Sequence, residues 1–397
     1  MIREEFLRFI YQAASMQRWN DHIRPNNGFT ELDKQAHKLF YAYTIGRLEE
    51  EKTPVNWIGL IEGAISEFFQ RTLLTDIKPP IFHMLMDKHG DQLNKLVLTR
   101  LEEMGIWDIR EDFAERIKRY LLEPEYCGHE KRILKAAHYL ATSWEFSIVY
   151  RLSSGMFGIE DTKKSMERQM EEYTDLDGVC RLLSDKGAVD FMNLVGQLRF
   201  QQRWAQSPRV PETSVAGHML IVALLSYLFS IQLDACKKRG YNNFFAGLFH
   251  DMPEVLTRDI ISPVKNSVEG LGDLIKSIED IQMEEVLLPL LPEGWRPEIR
   301  YFTENEFAGK IILDGKIKEV RSEDICRKYN SDEFSPVDGE IIEFCDKFSA
   351  YMEAYLSIKH GITSQNLEEG HRQLYSKFSK RKIAGIDAGM LFDYFKL

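Results

Sequence analysis

A histidine is followed directly by an aspartate at the end of an apolar run, and a glutamate comes four residues after the histidine. These residues are His250, Asp251 and Glu254. Positions i and i+4 lie on one face of an α-helix, so His250 and Glu254 are expected to point the same way on a helix that Pro263 ends. An imidazole beside two carboxylates can bind a divalent metal ion and place an acid or base next to its water.

Two distant residues fit the same chemistry. His218 lies in segment 214–229, which is so apolar that we expect its helix to be buried, and a buried ring without a partner costs about 1–3 kcal/mol. Asp346 interrupts the apolar periodicity of 341–352, and a carboxylate there is costly unless it binds a cation. The alternatives are a core histidine satisfied by a hydrogen bond and an aspartate turned to solvent.

The order of a His, a His-Asp pair and a distant Asp, each on its own helix, resembles the HD superfamily of metal-dependent phosphohydrolases. The resemblance covers most of residues 190–360. It is strongest to the 5'-deoxynucleotidase branch, whose members remove phosphate from deoxynucleoside monophosphates. The matching blocks are Gln202-Arg203-Trp204, Glu212 to His218, His250 to Lys265, and Asp346 with Ala350-Tyr351.

The resemblance implies one divalent metal ion held by two imidazoles and two carboxylates, those of His218, His250, Asp251 and Asp346. Such donors suit Mn, Co, Fe, Ni or Zn, and Mg is also compatible. The resemblance also implies catalytic roles for Glu254 and Asp259 and substrate contacts for Arg203, Trp204 and Lys265. Spacing alone leaves the two acids equally well explained as surface residues. It also leaves the Arg-Trp pair open to a structural interpretation.

The expected function is therefore metal-dependent phosphate hydrolysis, with a (deoxy)nucleoside 5'-monophosphate as the small-molecule substrate. Hydrolysis of a nucleoside triphosphate, or of a cyclic or oligonucleotide phosphodiester, would use the same ligands and stays an alternative. A non-catalytic sensor that binds metal and nucleotide is an alternative from another class of protein.

Composition limits the class of protein. The chain has 397 residues, of which 44% are hydrophobic, so we expect a globular protein with room for two domains. A net charge of −11 argues against extended nucleic-acid binding. The five scattered cysteines are typical of a reduced, cytoplasmic protein. The apolar run 219–231 is shorter than the roughly 20 residues that span a bilayer, so no membrane association is expected. A homodimer is left open.

An internal repeat organises the chain. Residues 6–19 align without gaps on 191–204, and both segments end in Arg-Trp. Helical periodicity dominates both halves, so the predicted fold is all-α, with tandem HD-like units at 1–175 and 185–397. A small β-hairpin around Asp-Gly, near 307–320, is the predicted exception.

The N-terminal unit is predicted to be degenerate. The repeat aligns His37 with His218 and His138 with Asp346. It places Gly63 and Ala64, which cannot bind a metal ion, opposite the His-Asp pair. The alternative is a separate metal site on three N and O donors, formed by His37, Glu62 and His138.

Overall fold

The computed structural model describes residues 2–19, 29–75, 77–258, 260 and 268–397, with the side chains of 79 and 80 excepted. The chain divides into two compact units, Met1–Val189 and Asp190–Leu397, which we call the N-terminal and C-terminal units. This division falls later than the predicted interval 175–185. Residues 176–189 belong to the N-terminal unit, in which the Asp177–Ser184 helix packs against the Glu31–Glu49 helix and the backbone N–H of Gly178 donates to Glu49 Oε1 at 2.6 Å.

The N-terminal unit is built around the Glu31–Glu49 helix. This helix packs against the Gly128–Ser153 and Asp177–Ser184 helices. Thr30 caps its start by accepting a hydrogen bond from the backbone N–H of Asp33. The other helices of this unit are Glu4–Gln12, Trp57–Leu74, Pro79–Glu103, Ile106–Ile109, Glu111–Leu122 and Ile159–Glu171, and Lys186–Gly196 crosses into the next unit.

The C-terminal unit is built around the Val215–Gln232 helix, which packs against the Lys237–Phe249 and Gly339–Lys359 helices. Gly247 permits the closest of these contacts, since a Cβ there would lie 2.9 Å from the Cα of Ala223. The remaining helices are Glu254–Thr257, Leu271–Gln282, Arg296–Thr303, Ser322–Lys328, Gln365–Phe378 and Met390–Asp393.

The Val215–Gln232 helix is long and apolar enough to cross a bilayer, judged by length and composition alone. In the structure, however, 89% of it is buried inside the protein. A helix that is apolar on every side and surrounded by other helices is a core helix. Its burial also explains why the sequence shows no polar face, and why His218 within it needs polar partners.

The predicted hairpin is present, and the all-α prediction with this one exception is confirmed. Strands Lys310–Leu313 and Lys316–Glu319 pair antiparallel. Asp314 and Gly315 connect them with φ values of 51° and 71°, the left-handed conformation that two-residue hairpin turns require.

The same local connection precedes the central helix of each unit. Gln17 bridges Thr30 in one unit, and Gln202 bridges Ser214 in the other. Ser214 caps its helix as Thr30 does, by accepting from the N–H three residues later.

These caps set the register of the two central helices. His218 comes four residues after its cap, and Lys34 holds the same place after Thr30, whereas His37 comes seven residues after Thr30. The alignment of His37 with His218 is therefore wrong by about one turn. The short Ala-His and Gly-His segments are similar in sequence, but this local similarity does not fix the position of each side chain. The start of the helix does.

Candidate metal centre

Three helices bring two histidines and an aspartate together. The candidate ligand atoms of His218, His250 and Asp346 all lie within 4.8 Å of one another, and all three residues are buried. The shortest of these contacts joins His218 Nε2 and Asp346 Oδ1 at 2.9 Å. Residues more than 30 positions apart in the chain thus form one compact group whose side chains could bind a metal ion.

Asp251 lies on the more exposed side of this group. Its Oδ2 is 3.2 Å from His250 Nε2 and 3.7 Å from His218 Nε2, and its side chain is 18% exposed. It stands outside the tightest group of three but faces both imidazoles. Asp251 thus lies next to the group formed by His218, His250 and Asp346.

The imidazoles are oriented for metal binding by the atoms behind them. Nδ1 of His250 pairs with the carbonyl oxygen of Gly247 at 2.8 Å, which assigns the proton to Nδ1 and leaves Nε2 with its lone pair. That Nε2 is buried and makes no hydrogen bond of acceptable geometry among the described residues. Nδ1 of His218 contacts Ser349 Oγ at 3.1 Å. The donor set and the orphaned nitrogen fit a divalent metal ion.

Electrostatics keep the acids in the form that binds a cation. Burial alone would raise the pKa of Asp346, but Lys347 and His218 hold it well below its usual range. Burial alone would lower the pKa of His250, but Asp251 and Asp346 outweigh it and raise that pKa, so a metal ion that binds there would displace the proton from Nε2. The carboxylates are therefore ionised at neutral pH, as metal ligation requires.

The expectation of one continuous helix carrying His250 and Glu254 is wrong. The helix ends at Phe249, and Glu254 begins a separate short helix, Glu254–Thr257. The reason is Pro253, which has no N–H to donate to the carbonyl of Phe249, so Met252 N–H donates to that oxygen instead, at 2.9 Å. Glu254 is nevertheless buried beside the His-Asp pair, and its N–H donates to the carbonyl of Asp251 at 3.1 Å.

Two predicted site residues, Asp259 and Lys265, lie outside the described residues. Arg203 lies in the described part of the chain, and its guanidinium faces the carboxylates of Asp251 and Asp346. Nη1 is 3.7 Å from Asp251 Oδ2, and Nη2 is 3.9 Å from Asp346 Oδ1. These separations give ionic attraction without a direct hydrogen bond.

Trp204 is fixed by contacts within the protein. Its Nε1 donates to Glu353 Oε2 at 3.0 Å. A Cβ at Gly370 would lie 2.5 Å from the Trp204 ring, so the indole rests directly on that backbone. This arrangement favours the structural interpretation of Trp204 that spacing left open.

Several residues around the centre were missed by sequence reasoning. Ser349 and Glu353 are two of these, and they share one face of the Gly339–Lys359 helix with the predicted ligand Asp346, three and seven residues after it. Glu353 is fully buried against Arg209, with 3.3 Å between Oε2 and Nη1. Burial would raise the pKa of Glu353, but Arg209 and His218 lower it strongly. A glutamate on the buried face of an apolar helix was the available signal.

Lys347 is a further neighbour that sequence reasoning missed. Its Nζ is 2.6 Å from Asp346 Oδ2 and 5.2 Å from the centre of the Phe307 ring. The attraction of Asp346 raises the pKa of this lysine. Consecutive helical residues point about 100° apart, so the pattern of the sequence gave no reason to place Lys347 beside the centre.

The N-terminal unit repeats part of this arrangement with other side chains. Trp19 Nε1 donates to Glu145 Oε2 at 2.8 Å, as Trp204 does to Glu353. Lys34 Nζ contacts His138 Nδ1. The contact joins the positions that correspond, by helix register, to His218 and Asp346.

The alternative metal site on His37, Glu62 and His138 is not formed. These three residues make no group of converging donors within the described part of the chain. Glu62 is instead paired with Arg116, whose Nε lies 2.8 Å from Glu62 Oε2. The ring of His37 packs against Tyr41 and Trp144, at 4.9 Å from each ring centre.

Comparison with known proteins agrees with this geometry. Residues 195–375 match the family model of the HD domain. A 5'-deoxynucleotidase of Vibrio atlanticus is 28% identical over 201 residues, which are 50% of this chain and 88% of the relative. One of Pasteurella multocida is 22% identical over 178 residues, 43% of this chain and 75% of the relative.

A third relative, a 5'-deoxynucleotidase of Photobacterium profundum, is 29% identical over 112 residues, 27% of this chain and 57% of the relative. No solved structure matches the chain significantly. The family model covers the segment that carries the two histidines and two aspartates. The C-terminal unit therefore contains an HD domain, and the chain is similar to 5'-deoxynucleotidases.

Proposed function

We propose that the C-terminal unit hydrolyses the phosphate ester of nucleoside 5'-monophosphates, with a preference for deoxynucleotides. The names of three relatives support this substrate class. The observation that carries the proposal is the convergence of His218, His250 and Asp346, with Asp251 beside them. We assign these four residues as ligands of one divalent ion, for which Mn, Co, Fe, Ni or Zn fits the mixed nitrogen and oxygen donors.

A bound divalent ion supplies Lewis-acid stabilisation of the phosphoryl group. Arg203 is assigned to the substrate phosphate, because its guanidinium is 12% exposed and already faces the two aspartates that hold the ion. Glu254 is assigned as the acid or base, because it is buried directly after the His-Asp pair. Asp259 and Lys265 keep the roles that the family resemblance implies.

A substrate panel tests this proposal. The full chain is incubated with deoxy- and ribonucleoside monophosphates, triphosphates and a cyclic diester, in the presence of Mn, Co or Mg, and phosphate release is measured. We expect deoxynucleoside monophosphates to be preferred. Asp251→Ala and Glu254→Ala should abolish release, while His360→Ala, an exposed control that follows the Asp346 helix, should not. Tight nucleotide binding without turnover under any metal would instead support a sensor.

For the N-terminal unit we propose a degenerate HD-like domain without a metal ion. The shared Trp-to-Glu hydrogen bonds and the shared caps before the central helices support a common origin of the two units. The contact between Lys34 and His138 supports the loss of metal, since a lysine replaces one ligand histidine and occupies the remaining imidazole.

We also propose that the protein works in the cytoplasm. All five cysteines are free thiols, which fits a reducing compartment. The helix that is long enough to span a membrane is mostly buried. Fractionation of cells that produce the full chain tests the location, and recovery with the membrane fraction would contradict it.

A further inference from the structure

Lys347 and Arg203 approach the two different oxygens of one carboxylate. Lys347 Nζ lies 2.6 Å from Oδ2 of Asp346, and Arg203 Nη2 lies 3.9 Å from Oδ1. Oδ1 is also the oxygen that faces His218 at 2.9 Å. The lysine therefore leaves the ligand oxygen free and places its own charge on the far side of the carboxylate.

Lys347 has room to meet a ligand. Its side chain is 32% exposed, whereas that of Asp346 is 8% exposed. An ammonium group has three N–H donors, and Asp346 accepts from one of them. The ring of Phe307 lies under the ammonium at 5.2 Å and is 6.4 Å from the ring of His250, so the charge is held at the edge of the centre.

The charges around the centre define what it attracts. Asp251 and Asp346 carry two negative charges, and Arg203 and Lys347 carry two positive ones. The charges of Arg209 and Glu353 cancel each other, because these two side chains form a buried ion pair. Ionised Glu254 adds a third negative charge, so a divalent ion brings the sum of formal charges at the centre to about +1.

A positively charged centre favours a terminal phosphate over a diester. A phosphate monoester carries close to two negative charges at neutral pH, because its second pKa is about 6. A phosphodiester carries only one negative charge, so each positive charge of the centre attracts it less strongly than it attracts a monoester. Without Lys347 the sum would fall to about zero, and a dianion would lose more attraction than a monoanion.

We propose that Lys347 binds the substrate phosphate and, with Arg203, makes the centre selective for a terminal, dianionic phosphate over a phosphodiester. The inference rests on the reaction class of the proposed function but not on its nucleotide substrate. It also separates the monophosphate hypothesis from the cyclic and oligonucleotide diesters that share the same four ligands.

The test uses the full chain loaded with Mn. Calorimetry measures the affinity for inorganic phosphate, and rates are measured with p-nitrophenyl phosphate and with bis(p-nitrophenyl) phosphate. Lys347→Gln should weaken phosphate binding and the monoester kcat/KM by about 10- to 100-fold, the worth of one charge-assisted hydrogen bond. Diester hydrolysis should change far less, and Lys347→Arg should keep most of the monoester activity.

Lys359→Gln is the matched control, because Lys359 is exposed at the end of the same helix and should leave every value unchanged. Equal losses on monoester and diester, loss of bound Mn in Lys347→Gln, or unchanged phosphate affinity would each overturn the proposal. Phosphate binding that depends on Lys347 in a protein inactive on nucleotides would uphold it while refuting the nucleotide substrate.

Discussion

The indole Nε1 of Trp204 donates a 3.0 Å hydrogen bond to Oε2 of Glu353, and this carboxylate lies behind the metal centre. Its other oxygen accepts from Thr213 Oγ1 at 2.7 Å and lies 3.7 Å from His218 Nδ1. Glu353 therefore connects Trp204 of the Arg-Trp segment with His218, a candidate metal ligand.

Trp204→Phe tests this connection. The substitution keeps an aromatic ring against Gly370 but removes the N–H donor to Glu353, so the carboxylate loses one partner. We expect stability to fall by about 1 kcal/mol, the usual worth of one hydrogen bond, and kcat/KM to fall several-fold. Trp19→Phe is the matched control, because Trp19 makes the same bond to Glu145 in the N-terminal unit.

The control should lower stability to a similar degree and leave kcat/KM unchanged. Urea denaturation and steady-state kinetics on both variants provide the measurements. Equal kinetic effects in the two variants would show that the connection through Glu353 has no special role in the C-terminal unit.

The buried ion pair of Arg209 and Glu353 gives a second prediction. Both side chains are at most 1% exposed, so Arg209→Met would leave a buried carboxylate without its closest cation. We expect the free energy of unfolding to fall by about 3–5 kcal/mol. The exposed pair of Arg300 and Glu284 is the control, and Arg300→Met should cost under about 1 kcal/mol.

Chemical denaturation followed by circular dichroism compares these two variants. If Arg209→Met lowered the free energy of unfolding as little as Arg300→Met does, other neighbours would have to stabilise the Glu353 carboxylate. The stabilising role assigned to Arg209 would then be contradicted.

Lys34 makes the stability of the N-terminal unit depend on pH. Burial, assisted by Arg18 and Lys38, holds the pKa of Lys34 well below its usual 10.5, although Glu31 acts in the opposite direction. The unfolded chain therefore binds one more proton than the folded chain between these two pKa values. Stability should rise with pH across that window by about 1.4 kcal/mol per unit, and it is lost as pH falls towards the folded value.

Lys34→Met removes this titration. The difference in unfolding free energy between the native chain and the variant should grow in favour of the native chain as the pH rises towards about 10, the range below the free lysine pKa. Urea denaturation at a series of pH values measures it. A difference that stays constant with pH would mean that Lys34 remains charged in the folded protein.

How far the sequence predicts this protein depends on the kind of feature. The centre was predictable because His218 and Asp346 are polar residues inside apolar helices, and burial forces such residues to find partners. The hairpin was predictable because an Asp-Gly pair suits its turn.

Other features depend on three-dimensional register. The break at Pro253 separates Glu254 from the helix of His250, although their spacing suited one helix. The equivalence of Lys34 with His218 emerges only from the caps that start the two central helices. Lys347 reaches the centre through a long flexible side chain, which no periodicity reveals.

Metal analysis of the purified full chain tests the central claim most directly. After loading with Mn and removal of excess ion, we predict about one ion per chain in the native protein and a strong loss in Asp346→Asn and His250→Ala. Lys34→Met should retain the full content, because the N-terminal unit is proposed to hold no ion. Undiminished metal in Asp346→Asn and His250→Ala would contradict the account.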